Sequence, residues 1–170
     1  THLPIGDLKL NFTYPEGELS DYHHELDLTT ATNTVTYKVG DTEYTRQCIA
    51  SNPDDVIAMH IKASRPESIT VELELQPLRN AEVVASGNQL IYTGNAEFEK
   101  HGRGGVLFEG RIAAEIKGGT IKADGKKLLI DKATEVLLLS DVRTNYKNTT
   151  FAGYDYQQKC KETIEAASKK

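Results

Sequence analysis

Apolar side chains recur at every second position through most of this chain. In "SITVELELQ", Ile69, Val71, Leu73 and Leu75 fall on one side, and Thr70, Glu72, Glu74 and Gln76 on the other. In "DVIAMHIKA" the apolar set is Ile57, Met59, Ile61 and Ala63. Near the start it is Leu8, Leu10, Phe12 and Tyr14. In "VLFEGRIAAEIK", Val106, Phe108, Gly110, Ile112, Ala114 and Ile116 alternate with Leu107, Glu109, Arg111, Ala113, Glu115 and Lys117. Successive side chains of a strand point to opposite faces, so this period specifies half-buried antiparallel strands.

Turn chemistry separates the alternating runs. Gly40-Asp41, Gly87-Asn88, Gly118-Gly119 and Asp124-Gly125 each supply a residue that tolerates the positive φ of a two-residue hairpin loop. About a dozen strands result. The run Val136 to Leu139 is apolar on both faces and reads as a strand covered on both sides. From Asp155 the period changes. Tyr156, Cys160, Thr163, Ile164 and Ala167 form one stripe of an amphipathic helix, with Lys159, Lys161, Glu162, Glu165 and Lys169 opposite. A chain of 170 residues encloses one core. The expected architecture is all-β: a large antiparallel sandwich over residues 1–154, then the start of a linker helix over 155–170.

Several function classes are excluded early. The formal charge of −5 argues against nucleic acid as a partner. The longest apolar run, around "VLLL", is far too short to cross a membrane. Cys48 and Cys160, the only cysteines, are expected to be free, buried thiols. Asn11 and Asn148 begin glycosylation-type triplets, which occur readily by chance.

The stretch "YHHELDL", Tyr22 to Leu28, tests the case for chemistry. On a strand, His23, Glu25 and Asp27 share one face while Tyr22, His24, Leu26 and Leu28 share the other. Glu25 and Asp27 would then stand about 7 Å apart, near the 6.5–9.5 Å of inverting glycosidases. Any strand with acids two apart shows that separation, including Glu72 and Glu74. A catalytic pair must flank its substrate, so a solvated strand face is the simpler reading. His23 and His24 point to opposite faces and cannot share one metal ion, and no zinc-site spacing exists. The loop "HGRGG", His101 to Gly105, lacks the Lys-Ser/Thr ending of a phosphate loop. His101 and Arg103 are candidates for a carbohydrate or interdomain contact. No serine or cysteine lies in a nucleophile motif. No catalytic residue, metal or cofactor is therefore assigned.

Read in order, five blocks resemble one family: "LPIGDLKLNF", "YHHELDLTTA", "VTYKVGDTEYTRQCIASNPDDVIAMHIKAS", "GGVLFEGRIAA" and "EVLLLSDVRTNYKN". The chain resembles the N-terminal domain of family 95 glycoside hydrolases, the α-L-fucosidase family. The family usually carries Arg-Arg or similar where His23-His24 stand. The resemblance implies a supersandwich docked on a helical (α/α)6 barrel, which hydrolyses fucosides with inversion and holds the catalytic groups. It carries no catalytic residue onto these 170 residues. The opening "THLPIGDL" is similar to the middle of that domain, and "YQQKCKETIEAASKK" to the start of a linker toward the barrel. A periplasmic or secreted location would follow.

The leading expectation is a non-catalytic sandwich from a sugar-cleaving enzyme, with the catalytic barrel as partner. The alternative is a carbohydrate-binding module. Such modules stack sugars on exposed aromatic rings. The chain has no Trp, which leaves Tyr146, Tyr154 and Tyr156 as the candidates. A free-standing enzyme is a third possibility, without an acid–base constellation to support it.

Overall fold

A computed structural model describes residues 4–97, 105–146 and 154–170. Twelve strands precede one helix. The strands are β1 (Gly6–Thr13), β2 (Leu19–Asp27), β3 (Thr32–Val39), β4 (Thr42–Ser51), β5 (Val56–Ala63) and β6 (Ile69–Pro77). They continue as β7 (Asn80–Ser86), β8 (Gln89–Ala96), β9 (Val106–Lys117), β10 (Thr120–Asp124), β11 (Lys127–Ala133) and β12 (Glu135–Thr144), followed by α1 (Tyr156–Ala167). They form an eight-stranded sheet, β2-β3-β4-β5-β12-β9-β8-β7, facing a four-stranded sheet, β1-β6-β11-β10. Every pairing is antiparallel. The all-β sandwich with a C-terminal helix is the architecture that the alternation specified.

The period-two residues meet between the layers. Ile69, Val71, Leu73 and Leu75 of β6 are buried against Tyr44, Ile61, Leu90, Phe108, Val136 and Leu138 of the large sheet. At one end an aromatic cluster closes the layer. The Tyr37 and Tyr44 rings stack at 5.4 Å, and Tyr14 meets both edge-on. The phenol groups are satisfied: Tyr14 and Tyr37 share a 2.7 Å hydrogen bond, and Tyr44 donates to the Ser68 carbonyl at 3.1 Å. A buried hydroxyl left unpaired would cost more than its aromatic contacts gain, which is why these rings sit at the end of the core near backbone carbonyls. Ile57 lies on the inner face but at the mouth of the layer, and is exposed rather than buried.

Gly40 and Gly87 turn two-residue loops in the left-handed region, as their sequence positions require. Gly118-Gly119 departs from the expected hairpin. β9 pairs with β12 and β8, not with β10, so this loop carries the chain from the large sheet to the small one. Both glycines have positive φ, and a side chain at position 119 would overlap the Asp131 carbonyl and the Lys132 and Ala133 backbone. The crossing is possible only without a Cβ. The loop between β10 and β11 is Gly125-Lys126, one residue later than read from the sequence.

Helix α1 begins at its N-cap Asp155, whose carboxylate accepts from the Gln158 backbone N–H at 2.9 Å. It buries Cys160, Thr163 and Ile164 of the five-residue stripe expected from the sequence, and Tyr156 and Ala167 at its two ends are half-buried. Ile164 packs with Val56, Ala113 and Leu139 on the outer face of the large sheet. This explains the run Val136 to Leu139: Val136 and Leu138 face the sandwich core, and Leu139 faces the helix.

The cysteines are unpaired. Cys160 is buried under α1, whereas Cys48, on the inner face of β4, is only half-buried. Burial above all, then the nearby Asp141 and Glu109 carboxylates, pushes the Cys160 thiol up to about 12. A thiol reagent such as DTNB at pH 8 is expected to label Cys48 in the native protein, and Cys160 only after unfolding. Equal labelling rates would contradict the seating of α1.

Candidate functional site

The candidate surface is the outer face of the large sheet, where α1 covers one part and leaves another open. Pairing of β9 with β12 sets Glu109 opposite Arg143 and Arg111 opposite Asp141. Within β9, Glu109 accepts from Arg111 Nε at 2.7 Å. Within β12, Asp141 accepts from Arg143 Nε at 2.7 Å. The result is a two-by-two checkerboard of charge. Glu109 and Asp141 are buried at 3% and 8% exposure, deep enough that lone carboxylates would be strongly disfavoured. Helix and turns complete the set. Gln157 donates to Glu109 at 3.1 Å, while Arg143 also reaches Asp55 at 2.6 Å and Thr163 at 3.4 Å. The Arg143 pKa is raised by these carboxylate hydrogen bonds despite the opposing effect of burial.

This cluster holds the helix down and has no room for substrate. Each carboxylate is neutralised by an arginine on its own strand and roofed by α1. The sequence signal was an acid-x-Arg pattern occurring twice, Glu109-x-Arg111 and Asp141-x-Arg143. Its meaning depends on β9 and β12 being neighbours in a particular register, which alternation alone does not reveal.

Beyond the C-terminal end of α1 the same face is open. Ile49, Ala58 and Leu137 floor a groove of about 580 Å³, with Thr32, Gln47, His60, Glu115, Lys117 and Glu135 around it. Glu135 gathers three partners at its wall: the Lys117 ammonium at 3.1 Å, the His60 ring at 3.1 Å and the Lys62 ammonium at 4.0 Å. The Lys117 hydrogen bond is the main reason its carboxyl titrates below the usual glutamate range, with His60 adding to it. A glycosidase acid needs the opposite shift. Because the folded pKa is depressed, this group's contribution to stability is present above the unfolded glutamate pKa and is lost as pH falls through the folded value. In a carbon-detected NMR titration, Glu135 is expected to have a midpoint below the ordinary value of about 4.3, and Lys117→Met to raise it. An unmoved midpoint in the variant would rule out Lys117 as the cause.

The remaining candidates fall elsewhere. β2 is one of the two edge strands of the large sheet and is exposed throughout. His23 bonds Glu25 at 3.2 Å, and His24 on the other face meets Asn33 at 2.9 Å. Asp27 caps the following turn, accepting from the Thr29 N–H at 2.8 Å and the Thr30 hydroxyl at 2.9 Å. Those bonds lower its pKa. The histidines and acids of "YHHELDL" are thus parcelled into separate local contacts. Among the described residues no group of three or more His, Cys, Asp or Glu is placed to hold a metal. No described helix is long and apolar enough to cross a membrane. His101 and Arg103 lie outside the described residues. Tyr146, exposed at 59%, follows β12, and the half-buried Tyr154 directly precedes the α1 N-cap. Neither lines the groove.

The family described as "Glycosyl hydrolase family 65, N-terminal domain" matches residues 1–149. The match shares the N-terminal glycoside hydrolase domain with the sequence expectation, but it is to family 65 rather than family 95. "Alpha-L-fucosidase 2" of Arabidopsis thaliana is 30% identical over 166 residues, covering 84% of this chain and 20% of that protein. The chain thus spans a fifth of the length of this curated relative. Among solved structures, a protein described as a kojibiose phosphorylase from the human microbiome superposes with a TM-score of 0.62. It shares 12% identity, over 95% of this chain and 25% of its own length. That likeness establishes a shared fold.

Proposed function

This chain belongs to the family of glycosyl hydrolase family 65 N-terminal domains, and from that premise we propose that it is a non-catalytic brace for the helical catalytic domain of a carbohydrate-cleaving enzyme. The observation that carries this reading is the division of the outer sheet face. α1 is clamped over the buried Glu109–Arg111 and Asp141–Arg143 pairs, and directly beside it the Ile49–Ala58–Leu137 groove is open. The clamped helix is the leading edge of a linker, and the groove is the seat for the catalytic domain. Contacts between domains of one chain bury about 600–1,500 Å², a scale the outer face can supply. The 30% identity to an α-L-fucosidase supports a fucoside as the parent substrate.

The test uses a separately expressed helical catalytic domain from a family member with its own N-terminal domain removed. The chain is expected to form a one-to-one complex with it. Ile49→Lys with Leu137→Lys should weaken that complex by about tenfold, since each places a charge in an apolar seat. Absence of a complex, or indifference to the double variant, would refute the docking face.

Glycan binding is the second reading, favoured by one observation: the exposed ring of Tyr146, which follows β12. Calorimetric titration with fucosylated oligosaccharides separates the two. The brace reading expects no saturable heat, and the module reading expects saturable heat that Tyr146→Ala removes.

A further inference from the structure

The two layers of the sandwich do not close on each other everywhere. A cavity of about 210 Å³ lies between them at the end of β5 that Ile57 occupies. The tyrosine cluster closes the opposite end, where Tyr44 pairs with Ala63. Leu8 and Leu75 of the small sheet form one wall of the cavity, and Met59, Ile112 and Leu138 of the large sheet form the other. Ile57, exposed at 54%, and the half-buried Ser140 are cross-strand partners at its mouth. Tyr92 completes the lining, which contains no charged residue.

Tyr92 is the exception among the core phenols. Tyr14, Tyr37 and Tyr44 each have a hydrogen-bond partner. Tyr92 is only 6% exposed, yet its hydroxyl has none among the described residues. The ring lies across Gly110, its partner on β9, where any side chain would overlap both the ring and the hydroxyl. Burial above all, then Cys160 and Asp141, raises its pKa, so the group is a neutral O–H donor at neutral pH. A hydroxyl held in an apolar site without a partner is costly, and an acceptor brought into the cavity removes that cost. Ser140 supplies a second hydroxyl without a partner among the described residues.

We propose that this inter-sheet cavity is a binding site for a small, uncharged aromatic alcohol, its ring among Leu8, Met59 and Leu138 and its oxygen hydrogen-bonded to the Tyr92 hydroxyl. The size fits one ring, since an apolar cavity of about 150 Å³ takes up benzene. A thioether beside the ring favours an aromatic occupant over an aliphatic one. A sugar of the same size fits badly. It carries a hydroxyl on nearly every carbon, and these walls would leave most of them unpaired. A carboxylate would enter without a counter-charge. Water fills the space poorly as well, because each molecule needs two to four polar partners and the side chains offer the hydroxyls of Tyr92 and Ser140 alone. The site lies inside the sandwich and is independent of the docking groove on the outer face.

The chain carries its own reporter, because Met59 is its single methionine. The test follows the ¹³C-labelled Met59 methyl by NMR while phenol, or toluene as its hydroxyl-free analogue, is titrated into the intact chain. Phenol is expected to shift the methyl saturably, with a dissociation constant of about 1 mM or below. Tyr92→Phe, which removes only an unpaired hydroxyl, should weaken phenol about three- to tenfold and leave toluene within about twofold. The comparison of the two ligands on the unaltered chain stands even if that variant folds poorly. A cavity without a usable hydroxyl would take toluene and reject phenol, whose oxygen would be buried unpaired. Overturning results are a methyl shift that never saturates with phenol, binding of toluene alone, or a Tyr92→Phe chain that folds and binds phenol as the original does.

Discussion

Gly119→Ala is expected to cost about 3–5 kcal/mol of folding stability, because strain from an incompatible backbone adds to overpacking. Gly119 sits at φ +67° in the two-residue loop that leaves the large sheet after β9 and enters the small sheet at β10. An alanine there meets both penalties at once. Its left-handed φ is unfavourable for an L side chain, and its Cβ would overlap backbone atoms of Asp131, Lys132 and Ala133. Backbone cannot rotate away as a side-chain tip can. Relief requires moving β11, and with it the pairing of β11 to β6 that closes the core over Leu128 and Ile130. Thermal unfolding should fall by about 6–20 °C for a domain of this size. Gly125→Ala is the control. Its φ is also positive, at +60°, but nothing lies within 4 Å of the added methyl, so its cost should be confined to the backbone strain. Equal costs at the two positions would show that the crossing is not sterically set.

Arg143→Met is expected to destabilise by about 3–5 kcal/mol, and Asp141→Leu with Arg143→Met by far less. Arg143 neutralises Asp141, which is 8% exposed, and also ties the Asp55 turn and Thr163 of α1 to the sheet. Removing the arginine alone leaves a carboxylate buried beneath the helix, facing an Arg111 already committed to Glu109. Removing both charges replaces a desolvated pair with apolar surface next to Val56 and Leu139, which such a site tolerates. Chemical denaturation of the wild type and the single and double variants gives the coupling directly. If the double variant lost as much as the single one, the pair would be holding α1 by geometry rather than by cancelling charge.

The layers of this protein were legible because alternation is a local property. Any six residues of β6 announce one buried and one wet face, and the change of period at Tyr156 announces the helix together with its buried stripe. Pairing between distant segments was not legible. Gly118-Gly119 has the composition of a hairpin loop, yet it crosses between sheets, because the partners of β9 come from β12 and β8 in a register that no local pattern encodes. The charge checkerboard was hidden for the same reason. Glu109 and Arg143 are neighbours only once β9 and β12 are paired, and Glu109 is buried only once α1 lies over it. The outer groove is a remainder, defined by where the helix stops, and the five sequence blocks carried no hint of it. "YHHELDL" drew attention through its residue types. Its edge-strand placement scatters those side chains into separate contacts with Thr29, Thr30 and Asn33.

In the proposed role these side chains enclose a core and brace a neighbouring domain without converging on a bond to be broken. The direct test is turnover by the purified chain at high concentration. An aryl α-L-fucoside tests hydrolysis, and kojibiose with inorganic phosphate tests phosphorolysis, with sugar release followed to the limit of detection. The expected rate is that of the buffer alone in both assays. Release above that blank that co-purifies with the chain and disappears on its thermal unfolding would contradict the claim.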